Sequence, residues 1–194
     1  MLADVKDEKK TAYNICPDEF IFKNHHLIPS NKVLLINDCN CNNSIFLAKR
    51  GFDVTTLCHS KYAVRKSKQI TNSNQTSVNY ICSDPNDFDL GKDNWDAIIS
   101  LFCHLSPISR QSFHHRLAQA LRSKGIYITE NCVHIIPNET RKPIAPLEQP
   151  INVSSIRNEL SQLQISHIQE LEKEIKINNR KECKAQIIQA VAFK

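Results

Sequence analysis

The chain has 194 residues, 41% of them hydrophobic and 23% charged, with a formal net charge of +5. That length carries one full α/β core and is too short for two ordinary domains, and no run of about 18 uncharged apolar residues is present to span a membrane. The positive charge is spread along the chain; Arg65-Lys66 with Lys68 reads as the wet face of a helix, not as the dense basic stripe of a nucleic-acid surface, so the expected partner is a small molecule.

Met1 to Lys10 is a mixed-charge polar run with no apolar signal core behind it, and the chain reads as cytoplasmic. Residues 1–30 form a lead-in with a short helix around Asp18 to His26. Lys32 to Ile36 is apolar and β-branched, bounded by Pro29-Ser30 and Asn37-Asp38, which predicts a buried strand. The segment Asn43 to Arg50 predicts a helix stopped by Gly51. A second strand runs from Phe52 to Leu57, and Ser60 is placed to cap the helix that holds Tyr62, Ala63 and Val64. Thr71 to Ser77 reads as a loop and Val78 to Cys82 as a third strand, broken by Asp84-Pro85.

The fourth strand, Trp95 to Phe102, is strongly apolar. Ser106-Pro107 opens a helix with core positions Phe113, Leu117, Ala120 and Leu121, closed by Gly125 before a fifth strand over Ile126 to Thr129. Asn131 to Pro150 carries Pro137, Pro143, Pro146 and Pro150 and reads as a long irregular loop, a lid over the site. Ile156, Leu160 and Leu163 mark one more helix. Two late strands, Ile165 to Ile175 and Ala185 to Phe193, are joined by a charged hairpin turn from Lys176 to Lys184. This alternation predicts a single α/β domain over 1–194: a mostly parallel sheet of seven strands with an antiparallel carboxyl-terminal edge and helices on both faces. Ligands of such folds bind at the carboxyl ends of the strands, so the turn after the first strand is the first place to look for a site.

On this frame the sequence resembles the class I S-adenosylmethionine-dependent methyltransferases, with their Rossmann-like fold, and especially the small tellurite-resistance and thiopurine-type group. The resemblance is carried by Asn43-Ser44-Ile45-Phe46-Leu47-Ala48-Lys49-Arg50-Gly51, by Asn94-Trp95-Asp96-Ala97-Ile98-Ile99, by Cys103-His104-Leu105-Ser106-Pro107 with Arg110, and by Leu121 to Ile128. It begins near Tyr13 and continues, more weakly, to Lys194. It implies S-adenosylmethionine as cofactor, bound around Asn37, Asp38, Cys39, Cys41, Cys58, His59, Asp84 and Leu101. It places His104 and Arg110 at the mouth of the pocket, where they read either as substrate-side residues or as helix-capping or surface residues, and Tyr13 either at the pocket lip or packed in the lead-in.

The cofactor motif departs from the family pattern. The three loop glycines fall on Asn37, Cys39 and Cys41, the acid of the first strand on Leu35, and the ribose-binding acid on Cys58; only Asp84, the adenine-side aspartate, keeps its type. Glycine there permits positive φ and close backbone approach, which Asn tolerates better than most residues. Cys39 and Cys41 would place side-chain atoms where the cofactor's methionine end lies. Asp38 or His59 is positioned to hydrogen-bond the ribose in place of the missing acid. The chain has only three glycines, where an average usage of about 7% would give roughly fourteen.

The eight cysteines, without a Cys-x-x-Cys pair, read as reduced thiols. Cys39, Cys41, Cys58, Cys82, Cys103 and Cys132 all fall on the ligand-binding rim, where with His59 and His104 they read either as a soft-metal cluster or as small buried hydrophobes; the spacing assigns no metal. The pairs His25-His26 and His114-His115 read as solvated. Two functions follow: methyl transfer to a small soft nucleophile such as a thiol or metalloid anion, or a non-catalytic methyltransferase-fold protein acting as a binding or regulatory module.

Overall fold

A computed structural model describes residues 16–38, 40–103, 105–136, 151–177 and 181–194. Seven strands form one sheet in the order β3-β2-β1-β4-β5-β7-β6. They are β1 (Lys32–Ile36), β2 (Asp53–Cys58), β3 (Asn79–Cys82), β4 (Trp95–Leu101), β5 (Leu121–Ile135), β6 (Gln164–Ile177) and β7 (Lys181–Phe193). β1 to β5 pair in parallel, and β7 runs antiparallel to both β5 and β6. The order reverses beside β1, which puts the switch point between β1 and β4.

Alternation along the central strands decides what each face meets. Leu34, Ile36 and Ile98 turn towards α4 (Pro107–Ala120) and α5 (Val153–Glu159), where Phe113, Leu117 and Ile156 complete one core. Val33, Leu35, Ala97 and Ile99 turn the other way, onto Phe20 and Ile21 of α1 (Glu19–Asn24) and Phe46 and Leu47 of α2 (Asn42–Ala48). A smaller cluster on that second face joins Cys41, Ile45, Cys58 and Tyr80 to Ile70 of α3 (Lys61–Ser73). No helix among the described residues is long and apolar enough to cross a membrane.

The helix signals expected at Ser60, Ser106-Pro107 and Gly51 are present, and Asp18 supplies a cap that was not expected. Asp18 caps α1, Ser60 accepts from the Ala63 amide at the start of α3, Ser106 accepts from the Ser109 amide with Pro107 behind it, and Gly51 follows α2 with φ +89°. Several boundaries differ from expectation. α3 runs through Thr71 to Ser73, because Thr71 is buried and its hydroxyl is hydrogen-bonded to the Ser67 carbonyl and the Tyr80 hydroxyl. α4 stops at Ala120, not at Gly125. Leu121 turns extended, and the positive φ falls on Lys124 (+66°). Gly125 serves close approach instead, since a Cβ there would lie 2.8 Å from the Arg122 carbonyl oxygen.

The segment predicted as irregular from Asn131 begins as strand. β5 continues to Ile135, paired with Ala185 to Ile188 of β7; residues 137–150 lie outside the described residues. The final strands are likewise longer than predicted, pairing up to Ile177 with Lys181, so the turn between them is far shorter than Lys176 to Lys184.

Candidate functional site

The turn after β1 holds its shape without glycine. Asn37 sits at φ +67° and Cys41 at φ +59°, while Phe102, just beyond β4, sits at φ +49°. Three non-glycine residues in left-handed backbone beside one switch point are held there by their surroundings, which is where strained backbone concentrates in functional sites. The Asn37 side-chain Nδ2 donates to the carbonyls of Leu101 and Phe102, both at 3.0 Å, tying the β1 turn to the β4 turn. The Cys41 side chain is fully buried with Ile45, Cys58 and Tyr80. It therefore points into the core and does not block the methionine end, correcting the sequence expectation. Cys39 lies outside the described residues.

Asp38 is a second correction. Its carboxylate is turned in to the start of α2, accepting from the Ser44 amide at 2.8 Å, the Asn43 amide at 3.4 Å and the Asn43 side chain at 3.2 Å. Burial pushes its pKa up despite these bonds. This carboxylate is committed to the loop and is not offered to a ribose.

A cleft of about 520 Å³ opens between these turns. Asn37, Asp38, Asn43, Leu101 and Phe102 line one side, and Cys132, Ile135, Lys173 and Ile175 line the other, with Cys16 to Asp18 along its rim. Asp18 fastens that rim at two points: its amide donates to the Asn43 side chain at 2.8 Å and its carboxylate meets Lys173 Nζ at 2.8 Å. Lys173 also holds both carboxylate oxygens of the fully buried Glu130 at 2.8 Å, and Gln189 donates to the same group. Burial, then the charge of Asp18, pushes the Glu130 carboxyl up. Burial would pull Lys173 down, but the charges of Glu130 and Asp18 outweigh it and hold the ammonium up. Sequence reasoning missed Glu130 and Lys173, which stand 43 residues apart and meet only through the β5-β7-β6 register.

Cys58, His59, Asp84 and Arg110 are not among the residues that line this cleft. Cys58 ends β2 with its side chain buried in the small cluster, so the second strand presents no carboxylate. His59 follows it, exposed at the turn into α3. Asp84 is exposed two residues past β3, its carboxylate accepting from the Asn86 amide at 2.8 Å, and Arg116 steadies that turn through the Pro85 and Phe88 carbonyls. Tyr13 and His104 lie outside the described residues.

Arg110 is not at a pocket mouth. It is buried, making a two-pronged ion pair to Glu159 of α5 at 2.8–3.1 Å. His114 shares that carboxylate at 2.9 Å and reaches the Tyr127 hydroxyl at 3.2 Å, so it is a buried network residue, not a solvated one. Burial would raise Glu159, but hydrogen bonds from His114 and Arg110 hold it below the usual carboxylate value. Beside this network, burial pushes the Cys103 thiol up to about 11. Among the described residues no three His, Cys, Asp or Glu side chains gather to hold a metal ion.

The implied cofactor can be tested against these residues. Cys41 is turned away from the cleft, and Asn37, Asp38 and Asn43 line it with polar groups that suit a methionine-sized polar chain. The nucleoside end is thinner: where the resemblance implies a ribose-binding acid Cys58 is buried, and among the described residues His59 and Asp84 are the exposed polar groups near it. The residues fit the methionine half of S-adenosylmethionine and offer a reduced nucleoside half.

Comparison with known proteins agrees with this frame. Residues 39–129, from the turn after β1 into β5, match the family model described as a methyltransferase domain. No curated protein matches the sequence. Among solved structures, TehB from Haemophilus influenzae superposes with a TM-score of 0.74 at 17% identity, covering 94% of this chain and 64% of that one, so the chain spans about two thirds of that protein's length. A protein from the conversion of a disulfide bond into a thioacetal group during echinomycin biosynthesis gives 0.73 at 14% identity over 90% of this chain and 80% of that one. An S-adenosylmethionine-dependent methyltransferase from Methanosarcina mazei gives 0.66 at 11% identity over 88% and 95%. The chain has the Rossmann-like methyltransferase fold, and its sequence is similar to the methyltransferase domain from the turn after β1 into β5.

Proposed function

We propose that this protein is a cytoplasmic methyltransferase that binds S-adenosylmethionine weakly and passes its methyl group to a small, soft nucleophile of thiol or metalloid type. One observation carries the reading: the cleft of about 520 Å³ lies at the switch point, bounded by turns that keep left-handed backbone at Asn37 and Phe102. When bound, the cofactor supplies an electrophilic sulfonium methyl. Asn37, Asn43 and the Leu101 carbonyl would hold the methionine end, and His59 and Asp84 the nucleoside. Phe102, Ile135 and Ile175 would keep water from the acceptor, with Cys16 to Asp18 closing the rim. In-line transfer to a soft nucleophile needs positioning more than acid–base groups, so Glu130 and Lys173 serve to set the wall. The echinomycin protein, whose reaction concerns a disulfide, supports a sulfur-type acceptor by analogy of fold.

A second reading is a binding or regulatory module without catalysis. It is favoured by the polar groups that the protein has already paired with itself: the Leu101 carbonyl with Asn37, and the Asp38 carboxylate with α2. Calorimetric titration of the reduced protein with S-adenosylmethionine separates the two. The enzyme reading expects a dissociation constant between roughly 10 μM and 1 mM, about tenfold weaker in Asp84→Ala. No heat up to millimolar ligand would overturn it and leave the module.

A further inference from the structure

We propose that Cys58 and Cys82 are a redox pair that closes a reversible disulfide across the carboxyl ends of β2 and β3. The two residues are the last of their strands and are Cα partners in the parallel register. Neighbouring strands stand about 4.7–4.9 Å apart, inside the roughly 4.4–6.8 Å that a disulfide spans between Cα atoms.

The side chains share a face. Leu57 and its partner Ile81 turn to the α4–α5 core, while Cys58 and Tyr80 turn to the α2–α3 cluster. Cys82, two residues after Tyr80, falls on the face of Tyr80 and Cys58. The Ser83 amide donates to the Cys58 carbonyl at 3.1 Å, holding the two strand ends together just past the pair.

Access differs in the way that exchange requires. β3 is the sheet edge and Cys82 is exposed, whereas Cys58 is 5% exposed. The Cys82 thiolate attacks a small oxidised disulfide of the glutathione type, forming a mixed disulfide and releasing one thiolate. The Cys58 thiolate then attacks Cys82 Sγ and releases the second. Two electrons pass from the cysteines to the small disulfide, and the two cysteine protons end on the released thiols. The ladder, and not the sulfur pair, sets the strand spacing, so the bond belongs to the labile kind that a reducing pool reopens. The bond itself is independent of the proposed methyl transfer. Its effect on a ligand rests on that reading, because His59 and Asp84 follow the pair on the two strands that it would lock.

The folded, full chain incubated in a series of oxidised and reduced glutathione buffers, then digested without reduction and mapped by mass spectrometry, tests this. The expected product is a Cys58–Cys82 linked peptide, lighter by two hydrogens, reversed by dithiothreitol and formed while the far-ultraviolet spectrum stays native. Cys82→Ser, an exposed change that leaves the fold intact, removes the link and leaves Cys58 unlinked. The proposal is overturned if Cys82 carries only glutathione, if Cys58 links to another cysteine, if neither reacts, or if the link appears only after unfolding.

Discussion

The turn after β1 and the end of β2 lie side by side at the carboxyl ends of neighbouring strands, and both carry residue types other than those that the family resemblance implies. They have fared differently. After β1 the requirement was for backbone shape, and Asn37 and Cys41 still adopt it, braced by the Asp38 carboxylate and the Asn37 amide. At the end of β2 the resemblance implies a side-chain carboxylate, and the residue there, Cys58, is turned into the core. A backbone conformation is rebuilt by new side chains that satisfy the same groups; a missing charge has no such substitute within reach.

Three substitutions put that contrast at risk. The largest effect is expected from Asp38→Ala, which strips three donors of their buried acceptor and costs about 3 kcal/mol in urea unfolding. A loss under about 1 kcal/mol would show that the turn holds its shape without the carboxylate. Next is Cys58→Asp. With its side chain directed into the Cys41–Tyr80 cluster, the new charge costs about 2 kcal/mol and leaves S-adenosylmethionine affinity unchanged. Affinity rising tenfold at unchanged stability would mean that the strand end still addresses the ligand, erasing the difference between the two turns. The smallest is Cys41→Gly, where relief of about 1 kcal/mol of left-handed strain offsets the lost burial of a small side chain, for a net change within about 1 kcal/mol by the same assay.

What the sequence revealed follows the same division. Strand periodicity, the Ser60 and Ser106 caps and the Gly51 stop were readable because each is a local rule obeyed locally. Gly125 misled because the glycine answers a steric need at the Arg122 carbonyl and not a helix end. The tolerance of Asn37 for positive φ was legible; the inward turn of Asp38 and Cys41 was not, since the direction of a side chain in a tight turn depends on what α2 and α3 bring beneath it. Arg110 and His114 carried no mark of burial in the sequence because their partner, Glu159, arrives on a helix more than forty residues later. The Asp18–Lys173–Glu130 cluster is the extreme case, a wall assembled from three distant parts of the chain.

That wall also fixes a timetable. Asp18 and Lys173 are separated by 155 residues, and the cleft needs both. Closing so long a segment carries an entropic cost that nearby contacts do not bear, and distant pairings are slow to form. β1 to β4 can order themselves as the chain emerges from the ribosome, but the cleft is finished only when the last hairpin arrives and Lys173 takes hold of the lead-in. Until then the nascent chain has only the parallel part of the sheet, and the cleft lacks one of its walls.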